Sequence, residues 1–321
     1  MTRLGVGVLG CGAMGSHHAL NLQRIEGVDV VAVADVVPAA AHDLAGMVSA
    51  RIVDSHELIG DDEVDAVVIA TPDETHCSLA TSAIRANKPV LLEKPLAHTV
   101  EQARAVVEAE IKAGRQLVTL GFMRELDPAH LEVRHQLETL GPITKIRCVH
   151  RNVDAKRRET SMLFSQSMIH DIHTVRWLSG SEFLSVSTHV AERPDGFRDV
   201  LIVGRLDDGS LAQIEFEDQA FAYEVHVEVT TVGGMVATLP HPNTVRRSHL
   251  SETLSVGDDW FGRFTDAYRA EIEHWTHSVL TETVSGPGVG DGYKAQLVAE
   301  AAMKSLDTGS VVSIDEVSLA G

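Results

Sequence analysis

Residues 4–15 read LGVGVLGCGAMG, a short apolar run that passes directly into a glycine-rich turn. The run is typical of a buried strand, and the turn has the pattern GxGxxG followed by a helix-like stretch. In such a unit the first glycine allows a tight turn, the second lets the backbone approach a pyrophosphate, and the third permits close packing of helix on strand. The helix N-terminus supplies N–H donors and a positive dipole end. The stretch therefore predicts a dinucleotide site. Its candidate contacts are Gly10, Gly12, Ala13, Met14 and Gly15.

A carboxylate follows at the spacing that dinucleotide sites require. Asp35 comes about twenty residues after Gly15, at the end of the next apolar run, where it can accept hydrogen bonds from both ribose hydroxyls. Its charge would repel a 2′-phosphate, and residues 36–39 include no Arg or Lys to compensate. The sequence therefore predicts NAD, and not NADP, as the cofactor.

The first 121 residues alternate between strand-like and helix-like segments. Amphipathic stretches at 75–86 and 100–113 are typical of helices. Strands separated by helical crossovers indicate a parallel, doubly wound sheet, so residues 1–121 are predicted to form a Rossmann domain of the α/β class. The predicted strands are Leu4–Leu9, Val28–Ala34, 66–70, Val90–Leu92 and 117–120.

The pattern changes after Gly121, and residues 122–321 are predicted to form an α+β domain. Helices are expected at 128–139, where Asp127 and Pro128 give a start signal, and around 167–178. The last four predicted strands are expected to form an antiparallel meander, because turn residues separate them. The predicted strands are 143–150, 185–190, 200–206, 210–216 and 223–232, and two further helices are predicted at 263–280 and 294–306.

Composition narrows the class of partner. The 321 residues carry a formal net charge of −19, which repels phosphate backbones, so no nucleic-acid partner is expected. Apolar runs are strand-length and the first residues show no signal-peptide pattern, so no membrane partner is expected. Cys11, Cys77 and Cys148 are few and widely spaced, which favours free thiols in a reducing compartment. We therefore predict a cytoplasmic protein.

Two polar segments follow predicted strands. Thr71 and Pro72 come after the strand 66–70, and Glu93-Lys94-Pro95 comes after Val90–Leu92. Ligands in open α/β sheets bind beyond the carboxyl ends of the strands, so both segments are expected near the cofactor. The additional candidate cofactor contacts are Thr71, Pro72, Glu93 and Lys94.

Together with the glycine-rich turn, these segments resemble the glucose–fructose oxidoreductase and inositol dehydrogenase family, with Glu93-Lys94-Pro95 as the most specific part. The resemblance to the inositol 2-dehydrogenase branch spans nearly the whole chain. It implies a Rossmann domain followed by a domain with a large open, mostly antiparallel sheet, whose outer face commonly builds dimers or tetramers. The other similar stretches are 121–124, 127–128, 150–152, 169–172, 176–178, 266–271 and 291–293.

The resemblance also implies site residues. The catalytic lysine of the family matches Lys94 and the catalytic histidine matches His170. This chain departs from the family pattern at two substrate-side positions, because Gln166 and His173 stand where aspartates are usual. The exact substrate, a small polyol, therefore stays open. The substrate-contacting positions of the family match Met123, Arg124, His150, Asn152 and Tyr223.

Alcohol oxidation by NAD needs a base, because the hydroxyl proton must leave as hydride leaves the carbon. Histidine has a suitable pKa, so we hypothesise that His170 is the general base. Lys94, as a cation, would stabilise the developing alkoxide and relay the proton. His170 and His173 share a helical face, but two ligands without a third are too few for a catalytic zinc, and no metal is predicted.

Three functions fit these features. The leading hypothesis is NAD-dependent oxidation of inositol to an inosose. Oxidation of another cyclitol, a pyranose or an aminosugar stays open because of Gln166 and His173. A non-catalytic nucleotide-binding regulatory protein is the more remote alternative, and the presence of Lys94 and His170 argues against it.

Overall fold

The computed structural model describes residues 3–153, 159–239, 242–248, 251–256 and 259–318. These residues form two compact units. The first comprises the chain up to Met123 together with Tyr268–Gln296, and the second comprises Arg124–Ala267 and the chain from Leu297 onward. The predicted domains, 1–121 and 122–321, placed residues 268–296 in the second domain, whereas these residues lie in the first unit.

A six-stranded parallel sheet forms the centre of the first unit, in the order β3-β2-β1-β4-β5-β6. The strand order reverses between β1 and β4, as in a doubly wound nucleotide fold, and the predicted Rossmann sheet is confirmed. The strands are β1 Leu4–Leu9, β2 Val28–Ala34, β3 Arg51–Ile52, β4 Ala66–Ile69, β5 Val90–Leu92 and β6 Val118–Leu120. The helices are α1 Ala13–Leu22, α2 Pro38–Val48, α3 Ser55–Gly60, α4 His76–Arg85 and α5 Val100–Ala113, with a 3-10 turn at Asp73–Thr75.

The core of the first unit explains why its strands are almost continuously apolar. Every residue of β1, β4 and β5 is buried. Helices cover both faces of a parallel sheet, so side chains on both faces must be apolar. Ile272 and the fully buried Trp275, from the segment that returns to this unit, pack into the same cluster as Val8. The late segment thus completes the first core.

The second unit is built on a seven-stranded sheet in the order β12-β11-β7-β10-β9-β8-β15. Most neighbouring strands are antiparallel, which confirms the predicted sheet type. Its strands are β7 Ile143–Val153, β8 Phe183–Glu192, β9 Arg198–Leu206, β10 Leu211–Glu217, β11 Gln219–Thr231, β12 Met235–Ala237 and β15 Val312–Ser313, and a separate hairpin comprises β13 Pro242–Ser248 and β14 Ser251–Val256. The remaining helices of the chain are α6 Pro128–Leu140, α7 Thr160–Met162, α8 Ile169–Ser179, α9 Trp260–Leu280, α10 Val289–Thr308 and α11 Ile314–Ser318, with a 3-10 turn at Met123–Leu126 and a π-helical turn at Leu163–Met168.

The predicted meander of four consecutive strands is wrong at one point. Strand β10 pairs in parallel with β7, and β11 pairs antiparallel with the other edge of β7, so β10 and β11 are not neighbours. Cys148 of β7 lies opposite Ile214 on one side and Val227 on the other. Residue Cys148 is buried, and pairing on both edges satisfies the backbone of this interior strand.

Within the described ranges, none of the helices has both the length and the apolar character needed to cross a membrane.

Candidate cofactor and substrate sites

In the glycine-rich turn, the fold itself requires glycine at Gly10 and Gly15 but not at Gly12. Gly10 has φ +89°, and a Cβ there would lie 2.4 Å from the Ala70 carbonyl oxygen. A Cβ on Gly15 would lie 1.7 Å from the Gly10 carbonyl oxygen. A Cβ on Gly12, in contrast, would meet nothing within 4 Å. The open space at Gly12, at the start of α1, fits the close approach of a pyrophosphate to the backbone.

Asp35 is held by the backbone in a position suited to a ribose. Its Oδ2 accepts a hydrogen bond from the Cys11 N–H at 2.6 Å, and its Oδ1 accepts one from the Val37 N–H at 2.7 Å. The carboxylate is half-buried beside the glycine-rich turn. Each carboxylate oxygen can accept more than one hydrogen bond, so both can still receive ribose hydroxyls. The residues present therefore fit NAD.

His76 connects the two segments that follow β4 and β5. Its Nδ1 lies 2.7 Å from the Pro95 carbonyl oxygen and its Nε2 lies 2.9 Å from the Thr71 carbonyl oxygen. The ring is buried, so these contacts fix the separation of the segments that contain Thr71-Pro72 and Lys94-Pro95. His76 lies near the start of the stretch 75–86, which the sequence predicts to be helical. In the structure His76 is the first residue of α4, and its side chain also links the two segments.

Glu93 is a buried carboxylate directly before the half-buried Lys94. Its Oε1 accepts a hydrogen bond from His18 Nε2 at 2.8 Å. Burial raises the pKa of Glu93, but the hydrogen bond and charge of His18, with the charges of Lys94 and His76, outweigh it. The net pKa of Glu93 is lower than the ordinary value, so this carboxyl group is ionised at neutral pH.

The second unit contains a buried polar cluster that includes two of the predicted substrate contacts. Arg124 Nη1 donates to Asp171 Oδ1 at 2.5 Å, and His150 Nδ1 lies 2.8 Å from Asp171 Oδ2. Arg124 Nη2 lies 3.4 Å from the same His150 nitrogen. All three side chains are buried. Asp171 was not among the predicted site residues, although it directly follows His170 in a family-like stretch.

The charges of this cluster stabilise one another. Burial raises the pKa of Asp171, but Arg124 and His150 outweigh it and the net shift is downward. Burial lowers the pKa of His150, and together with the charge of Arg124 it outweighs the opposing effect of Asp171. The cluster therefore combines an ionised carboxylate with a guanidinium and an imidazole that resists protonation.

Asn152 and Tyr223 extend the cluster. Asn152 hydrogen-bonds the His150 side chain, and the Tyr223 ring lies edge-on to the His150 ring with 6.1 Å between centroids. Burial raises the pKa of Tyr223, so its phenol remains a hydrogen-bond donor at neutral pH. The structure thus brings together four of the predicted substrate residues, namely Arg124, His150, Asn152 and Tyr223.

The other predicted substrate-side residues lie on three different segments. Gln166 is in the π-helical turn before α8, while His170 and His173 are buried residues of α8. His173 Nε2 lies 2.6 Å from Glu125 Oε1, which gives the imidazole a carboxylate partner. Met123 is buried and is the last residue of the N-terminal segment of the first unit.

One group among the described residues has the spacing of metal ligands. Asp73, Glu74 and His98 have ligand atoms that lie within 4.8 Å of one another. Glu74 and His98 are exposed, and exposed acidic groups are common without an ion. The expected absence of a metal stays a prediction.

A model of an oxidoreductase family with an NAD-binding Rossmann fold matches residues 4–122, and the C-terminal alpha/beta domain of the same family matches residues 238–314. The chain is 37% identical to Inositol 2-dehydrogenase 2 of Saccharopolyspora erythraea, with 97% of this chain and 96% of that protein covered. It is also 37% identical to Inositol 2-dehydrogenase of Rubrobacter xylanophilus, with 98% of this chain and 94% of that protein covered.

Structural similarity gives the same result. The crystal structure of myo-inositol dehydrogenase from Lactobacillus casei in complex with NAD(H) and myo-inositol matches with a TM-score of 0.93 at 27% sequence identity. The match covers 97% of each chain. The chain therefore belongs to the glucose–fructose oxidoreductase and inositol dehydrogenase family, and it is an oxidoreductase whose Rossmann fold binds NAD.

Proposed function

We propose that this protein oxidises a ring secondary alcohol of a small polyol with NAD, and that inositol is converted to an inosose. One observation carries the proposal. The chain is similar over nearly its whole length to proteins named inositol 2-dehydrogenase. The resemblance in the sequence, which matches Lys94 and His170 to the family's catalytic lysine and histidine, supports the proposal further.

The buried cluster of the second unit supports a polyol substrate. Arg124 offers N–H donors, the ionised Asp171 offers acceptors, and Tyr223 can donate or accept. Hydroxyl groups both donate and accept hydrogen bonds, so a ring with several hydroxyls matches such a mixed set. Buried polar groups also discriminate strongly against analogues that lack a hydroxyl, because the groups are then left unpaired.

The proposed chemistry divides between two side chains. NAD, when bound, accepts the hydride from the ring carbon. His170 accepts the hydroxyl proton as general base. Lys94 places a positive charge at the oxygen that loses this proton and so stabilises the developing alkoxide. Asp35 binds the ribose and the open backbone at Gly12 receives the pyrophosphate.

Another cyclitol, a pyranose or an aminosugar is the second candidate class of substrate. The contact between His173 and Glu125 supports this second class of substrate. At this substrate-side position the chain has an imidazole with a carboxylate partner, whereas the inositol branch usually has an aspartate. A regulatory protein that binds NAD without turnover is the more remote alternative.

The test is a panel of inositol epimers, other cyclitols, pyranoses and aminosugars assayed for NADH formation. Activity on myo-inositol or an epimer supports the leading proposal, and activity confined to pyranoses or aminosugars favours the second class. Lys94→Ala should abolish turnover while NAD affinity stays largely intact. Turnover that survives in Lys94→Ala would contradict the assigned role, and a wild-type protein inactive on the whole panel would favour the regulatory alternative.

We also propose that the protein acts in the cytoplasm, for which its few and widely spaced cysteines are the support, and that it forms a homodimer or homotetramer, as the family resemblance implies. Light scattering coupled to size-exclusion chromatography measures the mass of the assembly. A single species with the mass of one chain would contradict the oligomeric part.

A further inference from the structure

Glu93 is surrounded by groups that favour its ionised form. His18 and His17 approach from α1, His76 approaches from α4, and Lys94 follows it in the chain. A Cβ placed on Gly121 would lie 3.1 Å from the other carboxylate oxygen, Glu93 Oε2. The carboxylate is therefore enclosed and has little room to move.

His18 makes a direct side-chain hydrogen bond to Glu93. The side chain of His18 is fully buried, and its ring lies edge-on to Tyr268 at 6.2 Å between centroids. Because the Glu93 carboxylate can only accept, His18 Nε2 must donate. A buried imidazole aimed at a buried carboxylate is costly to assemble unless the two groups satisfy each other.

His18 belongs to α1, the helix that begins at the glycine-rich turn, whereas Glu93 belongs to the segment that contains Lys94. The hydrogen bond therefore joins the helix expected to hold the pyrophosphate to the segment expected to hold the reacting oxygen. Nothing in the sequence pattern of the dinucleotide fingerprint requires a histidine at this position.

We propose that His18 is a positioning residue, which fixes the Glu93 carboxylate beside Lys94 and so ties the cofactor-binding helix to the segment of the catalytic lysine. This inference rests on the proposed function of Lys94. Glu93 in turn supplies a buried negative charge next to the lysine, which favours the ammonium form of Lys94. Without His18, burial would raise the pKa of Glu93, and Glu93 would take up a proton at higher pH.

The test compares His18→Leu, which removes the donor, with His18→Gln, which keeps an N–H donor. His42→Leu, an exposed histidine on α2, is the matched control. In His18→Leu the acid limb of the kcat/KM profile should move to higher pH, with a loss on the order of tenfold or more at mildly acidic pH. His18→Gln should recover most of the loss, and His42→Leu should keep the wild-type profile.

A purely structural role for His18 would lower the melting temperature of His18→Leu and leave the acid limb unmoved in the folded enzyme. That result would overturn the inference. A second readout is independent of catalysis: carbon-13 NMR titration of the glutamate carboxyl groups, with Glu93 assigned by its absence in Glu93→Gln. The Glu93 resonance should titrate at higher pH in His18→Leu than in the wild-type protein.

The two readouts separate the failures. If the wild-type protein oxidises no polyol but Glu93 titrates at higher pH in His18→Leu, the proposed function fails while the His18–Glu93 pairing holds. If the enzyme is active and the Glu93 titration does not move, the inference about His18 is wrong and the proposed function stands.

Discussion

At the scale of single residues, the glycines of the glycine-rich turn are present for two different reasons. We expect Gly15→Ala to lower the free energy of unfolding by about 1–3 kcal/mol or more, because its Cβ would overlap the Gly10 carbonyl oxygen. Gly12→Ala should leave stability nearly unchanged but weaken NAD binding on the order of tenfold, because the methyl group occupies the space left for the pyrophosphate. Urea unfolding and NADH fluorescence titration measure the two effects. Equal losses of stability in Gly15→Ala and Gly12→Ala would contradict this distinction.

Asp35 governs the choice between the two nicotinamide cofactors. The wild-type protein should use NADP with a much poorer kcat/KM than NAD, because the carboxylate fixed by Cys11 and Val37 repels a 2′-phosphate. Asp35→Ser should lower kcat/KM for NAD and reduce the difference in kcat/KM between NAD and NADP. Steady-state kinetics with both cofactors check this. Equal efficiency of the wild-type protein with NAD and NADP would refute the assignment.

Gln166 tests the position of the proposed base. An aspartate close to His170 would favour the protonated imidazole and raise its pKa. The neutral, basic form would then be lost at a higher pH, so the acid limb of the kcat/KM profile in Gln166→Asp should move upward. Gln166→Asn, which is uncharged, is the matched control. An unmoved limb in Gln166→Asp would show that residue 166 lies away from the base.

At the scale of elements, the cluster on Arg124, His150 and Asp171 joins a 3-10 turn, β7 and α8. Asp171→Asn should lower the free energy of unfolding at neutral pH by about 3–5 kcal/mol, because it leaves a buried guanidinium without its counter-charge. Asp171 has a lowered pKa in the folded state. Its stabilising effect is therefore present above the unfolded carboxyl pKa of about 3.9 and is lost as the pH falls toward the folded value.

Urea unfolding of the wild-type protein and Asp171→Asn over a range of pH checks both statements. The difference between the two proteins should shrink as the pH falls below about 4, since residue 171 of the unfolded wild-type chain then takes up a proton while the folded protein still holds it ionised. An equal difference at all pH values would mean that the charge of Asp171 does not stabilise the fold.

The bounds of several strands were predicted well from the sequence, but the pairing between strands was predicted less well. Strands β1, β2 and β5 have the predicted bounds, because continuous apolar runs between turns are a strong local signal. The pairing of β7 with both β10 and β11 was not predicted, because strand order depends on long-range contacts that no local pattern records. The two-residue strand β3 is exposed and has no apolar run to indicate it.

The candidate site shows the same limit, because contacts between distant residues leave no local pattern in the sequence. The glycine-rich turn and Asp35 were predicted from spacing, since they form a local motif. The segment around Lys94 was predicted from its place after a strand, and the role of Lys94 from the family resemblance. His18, His76 and Asp171 had to be seen in the structure, because their importance comes from burial and from partners distant in sequence. A histidine or aspartate within a helix gives no local signal that it is buried, although a charged residue inside the family-like stretch 169–172 was a clue to Asp171.

At the scale of the whole molecule, the return of residues 268–296 to the first unit is the feature that chain order concealed. Ile272 and Trp275 complete the core under the Rossmann sheet, although nearly 150 intervening residues belong to the second unit. A change from one composition pattern to another marks where a unit begins. It does not mark where the chain later returns.

The proposed oxidation can be tested by following the hydrogen that the reaction transfers. The wild-type enzyme is incubated with NAD and inositol deuterated at its ring carbons, and the NADH formed is analysed by mass spectrometry. We predict NADH that carries one deuterium and a ketone product, formed in equal amounts. NADH without deuterium, or no NADH at all with any inositol epimer, would contradict the account.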